Sequence, residues 1–218
     1  MRMTLDAILD KNYPIYKSGH PTASGGKDTC GYLPLYEMYL PDQVENFLEI
    51  GIAMGISIWM FRDYYESKGN FHAINMNWGR AGVIDKQYLT NTGIICHEGD
   101  QGNVEFLSTI KTQFDVIIDD GSHQSDHQWI TFKHFFLNNV TSGGLYVIED
   151  LHCCLESYWW AGVPDFETTV LGVLRKYEKT GKLTLPRMFF TELEADVFTK
   201  IISKIHLHDP SIAFIYKI

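Results

Sequence analysis

Five short apolar runs recur between residues 46 and 150 and constrain the fold more than any other feature. Each run is almost continuously apolar instead of alternating apolar with polar residues. That pattern is typical of strands in a parallel sheet that is covered on both faces. The five runs are NFLEIGI (46–52), FHAINM (71–76), IICHEGD (94–100), FDVIIDD (114–120) and GGLYVIED (143–150).

Segments of helical character follow the first four runs. They are SIWMFRDYYESKG (57–69), AGVIDKQYLTNTG (81–93, a short helix or loop), NVEFLSTIKTQ (103–113) and DHQWITFKHFFLNNV (126–140). Strands that alternate with helices at this spacing predict a doubly wound, Rossmann-like α/β sheet.

The C-terminus breaks this alternation. SKIHLHDPSIAFIYKI (203–218) contains two strand-like runs joined by HDPS, a turn signal with proline inside it. These residues predict a hairpin that closes the parallel sheet with an antiparallel strand. Five parallel strands followed by such a hairpin fit the class I methyltransferase order better than a two-halved dinucleotide-binding fold.

A chain of 218 residues suits one domain. Within that domain we expect residues 1–45 to form an N-terminal cap segment. Residues 151–195 are predicted to be the longest irregular region, and their Trp, Tyr and Pro content suggests a cover over an active site.

Charge and composition restrict the partners. The net charge of −9 and the lack of a basic stripe argue against a nucleic-acid partner. No apolar run approaches membrane-spanning length, and the first residues lack the features of a signal peptide. The cysteines lack the spacing of a disulfide framework or a zinc site, which predicts reduced thiols and a cytoplasmic protein. They are Cys30, Cys96, Cys153 and Cys154.

Glycines mark the turn between the first strand and its helix. EIGIAMGIS (49–57) places Glu49, Gly51, Gly55 and Ser57 there. Glycines let the backbone approach a ligand, and the helix N-terminus offers N–H groups. The spacing resembles motif I of S-adenosylmethionine (SAM) enzymes, although a glycine turn also occurs in any α/β sheet.

The ends of the second and third strands supply two further candidates for a cofactor pocket. Asn75 stands where an acid that binds ribose hydroxyls is usual, and its carbonyl oxygen can still accept from one hydroxyl. Asp100 is placed to accept from an adenine amino group. The alternative for Asp100 is a helix cap.

Acidic pairs end the fourth and fifth runs. Neighbouring parallel strands end at the same sheet edge, so Asp120 should meet Glu149 and Asp150 there. Converging carboxylates repel one another unless a cation lies among them, and hard oxygen ligands select Mg²⁺, less often Ca²⁺ or Mn²⁺. His123 follows Asp120 by three residues and is a candidate general base.

Two alternatives remain for these residues. The acids could be solvated helix caps. His123 and His127 could instead bind zinc with Glu149 in a hydrolase, but HQSDH lacks the glutamate of the H-E-x-x-H pattern. We expect His134 and His152 to be surface histidines or hydrogen-bonded core histidines.

A resemblance to a known family rests on these motifs. IIDDGSHQSDH, GGLYVIEDLH and ESYW together resemble the metal-dependent sugar O-methyltransferases of macrolide biosynthesis, of the macrocin and mycinamicin type. Cephalosporin hydroxylase-like proteins share the pattern. The segment GGKDTCGYLPLYEMYL (25–40) is similar to another family segment, with Cys30 where histidine is common. Its matching residues are Lys27, Tyr32, Tyr36 and Glu37.

The resemblance implies a SAM- and Mg²⁺-dependent O-methyltransferase that acts on a hydroxyl of a sugar or glycosylated natural product. Asp120, Glu149 and Asp150 would hold Mg²⁺, and His123 would take the hydroxyl proton. The implied SAM-pocket residues are Lys27, Glu49, Gly51, Gly55, Ser57, Asn75 and Asp100.

Two other functions stay open. One is a hydroxylase-like or hydrolytic metal enzyme on the same scaffold, and the other is a SAM-binding module without turnover. The expected partner is a small hydroxyl-bearing molecule, with neither nucleic acid nor membrane as a partner. The sequence also leaves a homo-oligomer open.

Overall fold

The computed structural model describes residues 2–12, 26–78 and 83–218. Part of the predicted N-terminal cap and the first residues of the predicted helix at 81–93 lie outside them. The chain divides into two compact units, Met1–Gly99 and Asp100–Ile218, and each is described separately.

The first unit contains three parallel strands. β2 lies between β1 and β3 and is paired with both in parallel. The strands are β1 (Asn46–Ile50), β2 (Asn70–Asn75) and β3 (Ile95–Glu98). The helices described are α1 (Leu5–Asn12), α2 (Leu33–Tyr39), α3 (Ile56–Tyr64) and α4 (Lys86–Asn91).

The second unit contains four strands. β4 and β5 are parallel, and β7 lies between β5 and β6, antiparallel to both. The strands are β4 (Phe114–Asp119), β5 (Val140–Ile148), β6 (Ile202–His208) and β7 (Ile212–Lys217). The α-helices are α5 (Val104–Leu107), α6 (Ser125–Asn138), α7 (Val170–Thr180) and α8 (Glu192–Ile201). The predicted parallel strands and closing antiparallel hairpin are thus confirmed.

An aromatic core fixes α6 in the second unit. The Phe132 ring packs 5.3 Å from the Tyr146 ring of β5 and 5.3 Å from the Phe198 ring of α8. All three side chains are buried, and burying a large apolar side chain contributes roughly 1.5–3 kcal/mol. This packing places the first residues of α6 next to the carboxyl end of β4.

One sequence expectation about an element is wrong. Residues 151–195 are not irregular throughout, because they contain α7. The Thr169 side chain accepts from the Gly172 N–H at the start of α7, and Gly181 follows its end with a φ of 67°. Both are ordinary helix-end signals. The surrounding segment is rich in Trp and Pro, and that composition led to the prediction of an irregular region. The role of this region as a cover stays a prediction.

The helices described are too short or too polar to cross a membrane.

Candidate metal centre and cofactor turn

The two acidic pairs meet at one edge of the second unit's sheet. Asp119 of β4 is paired with Ile148 of β5, so both strands end at the same level. The Glu149 N–H then donates to the Asp119 carbonyl at 3.0 Å. The predicted convergence of the two strand ends is confirmed.

Three side chains come together at this edge. One ligand atom from each of Asp120, His123 and Asp150 lies within 4.8 Å of the other two, and all three residues are half-buried. Ligands on opposite sides of one Mg²⁺ are at most about 4.2 Å apart. Small side-chain movements would therefore let the two carboxylates, the oxygen donors that Mg²⁺ prefers, share a cation, with the His123 ring beside it as a further ligand or a base.

Backbone conformation also marks this group. His123 has a φ of 59° and Asp150 a φ of 53°, so both lie in the left-handed region. Non-glycine residues there cost of order 1 kcal/mol or more each, and such residues cluster at functional sites. The turn after each strand is thus strained at a residue that contributes to the group.

The two ring nitrogens of His123 have different surroundings. Its Nε2 lies 3.7 Å from Asp150 Oδ2, while its Nδ1 is buried and has no hydrogen-bond partner among the described residues. A buried polar atom without a partner is unfavourable. The imidazole thus has one nitrogen beside a carboxylate of the group and a second that is enclosed by protein without a hydrogen-bond partner in the described part of the chain.

Asp119 has a structural role that the sequence analysis missed. Its buried carboxylate accepts from the Thr131 hydroxyl at 2.6 Å, the Tyr146 hydroxyl at 3.0 Å and Gln101 Nε2 at 3.2 Å. Burial raises the pKa of Asp119, although these hydrogen bonds oppose the rise. Successive side chains of an extended strand point to opposite faces, and that alternation was the signal that separates Asp119 from Asp120.

Gln101 connects this buried network to the loop that carries His123. Its Oε1 accepts from the Ser122 N–H at 2.7 Å while its Nε2 donates to Asp119. A Cβ atom at Gly121 would collide with the Gln101 side chain. The glycine of the DDGSH motif therefore makes room for the residue that fixes the loop.

Three other residues that the sequence singled out lie outside the metal-binding group. His127 Nδ1 lies 3.0 Å from the Ser122 hydroxyl, and His127 is not in the metal-binding group. His152, which we expected on the surface or in the core, has Nδ1 4.0 Å from Asp150 Oδ1. Glu149 is buried and also lies outside the group, so its predicted role as a ligand stays a prediction.

Cys153 lies close enough to the acids to be affected by them. Burial, followed by the charge of Asp150, raises the pKa of its thiol to about 11. Its sulfur is not among the atoms of the metal-binding group, whose donors are two carboxylate oxygens and an imidazole nitrogen.

The predicted cofactor turn in the first unit begins beside a buried ion pair. Lys27 Nζ lies 3.3 Å from Glu49 Oε1, and both side chains are fully inaccessible to solvent. A buried charge is tolerated when it is paired. Two of the residues that the resemblance assigned to the cofactor are thereby brought together.

The turn itself depends on glycine. Gly51 has a φ of 85° and donates its N–H to the Ile74 carbonyl at 2.9 Å. Gly55, with a φ of 75°, precedes α3, and a Cβ there would come within 3.2–3.3 Å of Leu89 and Ile84. Ser57 is buried in the first turn of α3.

The other two predicted cofactor residues follow β2 and β3. Asn75 ends β2, and its Nδ2 donates to the Asn77 carbonyl at 3.0 Å. Asp100, which belongs to the second unit, accepts from the Gly102 N–H at 2.8 Å and so closes a turn before α5. The N-cap of α5 is Asn103, so Asp100 is not the helix cap.

Comparison with known sequences finds named sugar O-methyltransferases. The mycinamicin VI 2''-O-methyltransferase of Micromonospora griseorubida is 31% identical over 141 residues, which cover 59% of this chain and 32% of that protein. The 8-demethyl-8-(2-methoxy-alpha-L-rhamnosyl)-tetracenomycin-C 3'-O-methyltransferase of Streptomyces olivaceus is 33% identical over 133 residues, 55% of this chain and 32% of that protein. The demethylmacrocin O-methyltransferase of Streptomyces fradiae is 32% identical over 122 residues, 51% of this chain and 28% of that protein.

The matched stretch thus spans about a third of each of these relatives. No protein-family model matches the chain.

Comparison with solved structures supports the fold. The MycE methyltransferase of the mycinamycin pathway, in complex with Mg, SAH and mycinamycin VI, has a TM-score of 0.69 and 24% identity over 99% of this chain and 55% of that chain. The SAH-bound Podospora anserina methyltransferase PaMTH1 has a TM-score of 0.59 and 12% identity over 97% of this chain and 88% of that chain.

Fold and sequence similarity lead to the same group of enzymes. The chain has the class I SAM-dependent methyltransferase fold, and over 51–59% of its length it is similar in sequence to sugar O-methyltransferases of the mycinamicin, macrocin and tetracenomycin type.

Proposed function

We propose that the protein is a SAM- and Mg²⁺-dependent O-methyltransferase that methylates a hydroxyl of a sugar or glycosylated natural product. The observation that carries the proposal is the group of Asp120, His123 and Asp150 at the joined ends of β4 and β5. Its donor atoms suit a hard divalent cation, and the named homologues transfer methyl groups to glycosylated natural products.

Each residue of the centre has a proposed role. Asp120 and Asp150, together with Glu149, hold Mg²⁺, which supplies Lewis-acid chemistry and a template that orients the acceptor. His123 accepts the proton of the acceptor hydroxyl. Its ring is held against Asp150, which can stabilise the positive charge that the imidazole then carries.

The turn after β1 is the proposed site for the amino acid end of SAM, which supplies the electrophilic methyl group. Gly51 has no side chain that would keep a ligand away from the backbone there, and the N–H groups at the start of α3 can donate to a carboxylate. The paired Lys27 and Glu49 hold the strand end in place.

The proposed acceptor is a small glycoside with neighbouring oxygens, in line with the rhamnosyl compound in the name of the Streptomyces olivaceus relative. We place the reaction in the cytoplasm because all four cysteines are thiols. The proposal includes neither a nucleic acid nor a membrane partner, and it is compatible with a homo-oligomer.

The direct test measures SAH formation from SAM with a panel of rhamnosides and other 6-deoxyhexosides. Turnover should require Mg²⁺, stop in excess EDTA and return when Mg²⁺ is restored. Asp120→Ala and Asp150→Ala should each lose turnover by orders of magnitude. Glu178→Ala, which removes an exposed acid of α7, is the matched control and should keep it.

The same assay separates the alternatives. Full turnover in EDTA would exclude a catalytic metal. Binding of SAM without SAH formation on any acceptor would favour the non-catalytic module. Zinc-dependent hydrolysis that needs both His123 and His127 would favour the hydrolase, although only His123 belongs to the metal-binding group.

A further inference from the structure

The segment that follows β5 is held in place by buried contacts. It consists of two short 3₁₀ helices, Leu151–Leu155 and Ser157–Trp160. The Leu151 N–H donates to the Ser211 carbonyl at 2.9 Å, which ties the segment to the hairpin turn. Its start is therefore hydrogen-bonded to the hairpin turn directly after Asp150.

Two further contacts fix the segment against α6. Cys154 is fully buried, with its Sγ 3.7 Å from the Ser125 hydroxyl, and its carbonyl accepts from Trp160 Nε1 at 2.8 Å. Gly162, in the left-handed region with a φ of 74°, lies so close to Asp126 that a Cβ there would overlap that side chain. Both ends of the second 3₁₀ helix are thus anchored.

Between these anchors, two aromatic side chains are accessible. Tyr158 is 65% exposed, and Trp159 is partly exposed. Their ring centroids are 4.7 Å apart, with an interplanar angle of 41°. Two adjacent accessible aromatic rings offer a ligand a large apolar area with a defined geometry.

Trp159 also borders the metal-binding group. Its ring centroid lies 6.1 Å from that of His123, at an interplanar angle of 72°. An apolar wall therefore stands directly beside the polar centre. An acceptor that fills this space needs hydroxyls on one edge and an apolar face on the other.

A pyranose ring has this combination of surfaces. Its hydroxyls can face the carboxylates and the imidazole, while its weakly positive C–H groups can lie on the negative face of an aromatic ring. Ligand sites commonly combine aromatic walls with a few placed polar groups. A deoxyhexose, which replaces one hydroxyl with hydrogen, offers more apolar surface still.

We infer that Tyr158 and Trp159 form the acceptor-binding platform of this centre and select pyranosides by stacking on the apolar face of the sugar ring. This inference rests on the proposed function and assigns a substrate-contact role to two residues outside the metal-binding group.

The test uses Trp159→Ala, Tyr158→Ala and Trp159→Phe in the full chain, with Met188→Ala as the control that removes an exposed apolar side chain elsewhere in the same unit. Trp159→Ala should raise KM for an accepted rhamnoside by about three- to tenfold. KM for SAM should not change. Trp159→Phe should recover most of the loss because it restores an aromatic face, and Met188→Ala should behave like the wild type.

A binding measurement separates this inference from the proposed function. In saturation-transfer NMR with methyl α-L-rhamnopyranoside and Mg²⁺, the ring C–H protons should be saturated by the wild type and less so by Trp159→Ala. If the sugar binds in a Trp159-dependent manner but no methyl group is transferred, the inferred platform is supported and the proposed methyltransferase activity is rejected. If methyl transfer occurs and the KM for the rhamnoside is unchanged in both alanine variants, the inferred platform is rejected and the proposed methyltransferase activity is supported. No saturation of the probe by the wild type would also reject the platform.

Discussion

Adjacent carboxylates in this protein occupy different environments. Asp119 lies inside the second unit with three hydrogen-bond donors around it, whereas Asp120 is half-buried in the metal-binding group. Glu149 and Asp150 divide similarly, because Glu149 is buried and Asp150 belongs to the group. One member of each pair is therefore buried and the other half-buried in the metal-binding group, while the role of Glu149 as a third ligand stays a proposal.

This division predicts opposite effects for two neighbouring substitutions. Asp119→Ala leaves the Tyr146 and Gln101 donors without this acceptor, whereas the Thr131 hydroxyl keeps a helix carbonyl, so the free energy of unfolding should fall by about 2 kcal/mol or more. Asp120→Ala should leave that free energy unchanged or slightly higher, because it reduces repulsion between acids, and should abolish Mg²⁺ binding. Urea denaturation and Mg²⁺ titration check the two effects. Equal losses of stability in the two variants would refute the division.

The two histidines of HQSDH should also differ in function. A general base contributes about 10²- to 10⁴-fold to rate. His123→Ala should therefore lose turnover on that scale and keep its affinity for SAM and Mg²⁺. His127, which contacts the Ser122 hydroxyl, is the matched control, and His127→Ala should change turnover little. Loss of Mg²⁺ from His123→Ala would make His123 a ligand instead of the base.

Local side-chain bonding explains why some elements differ from their predicted lengths. The helix predicted at 103–113 is only α5, four residues long. The Ser108 hydroxyl bonds to the Val104 carbonyl and the Thr109 hydroxyl to the Phe106 carbonyl, both at 2.7 Å. Hydroxyls that bond to the backbone in this way compete with helix continuation. Apolar periodicity alone does not contain that information.

Strands β2 and β3 carry a pair of histidines with a consequence for stability. His72 Nδ1 lies 3.0 Å from His97 Nε2, and the two rings are stacked. Burial, and then the neighbouring His97, lowers the pKa of His72 to about 4. Burial, and then Lys86, also lowers the pKa of His97. Both imidazole rings are therefore uncharged in the folded protein at neutral pH.

Acidification should destabilise these strands. A histidine whose pKa is lowered by folding binds more protons when unfolded, so its stabilising contribution is present above the unfolded pKa of about 6.5 and is lost as pH falls towards 4. For His72 the loss amounts to at most about 3 kcal/mol. Urea denaturation between pH 7 and pH 4 should show a fall that is smaller in His72→Gln. His208→Gln, a control in the second unit, should keep the full fall, and an identical fall in His72→Gln would refute this assignment.

At the scale of the whole molecule, the sequence predicts the fold class better than the site. The order of the apolar runs and the closing hairpin follow from which surfaces must be buried. That requirement sets the pattern of apolar residues, so both can be predicted from the sequence. The orientation of the His123 and Asp150 side chains depends on left-handed backbone at both residues, which no periodicity reveals. The Gln101 contact that fixes the loop likewise joins residues 21 positions apart.

The proposed ligands give a last prediction, which concerns the stability of the whole chain. A ligand that binds only the folded state at 100 times its Kd adds about 2.7 kcal/mol, or about 5–10 °C in Tm for a chain of this size. SAM and Mg²⁺ should each produce such a shift in the wild type. Gly51→Val places a β-branched side chain at a φ of 85° in the proposed SAM turn, so it should lose the SAM shift and keep the Mg²⁺ shift. Asp120→Ala should show the reverse pattern. If either variant lost both shifts while remaining folded, or neither, the assignment of the two ligands to separate sets of residues would be wrong.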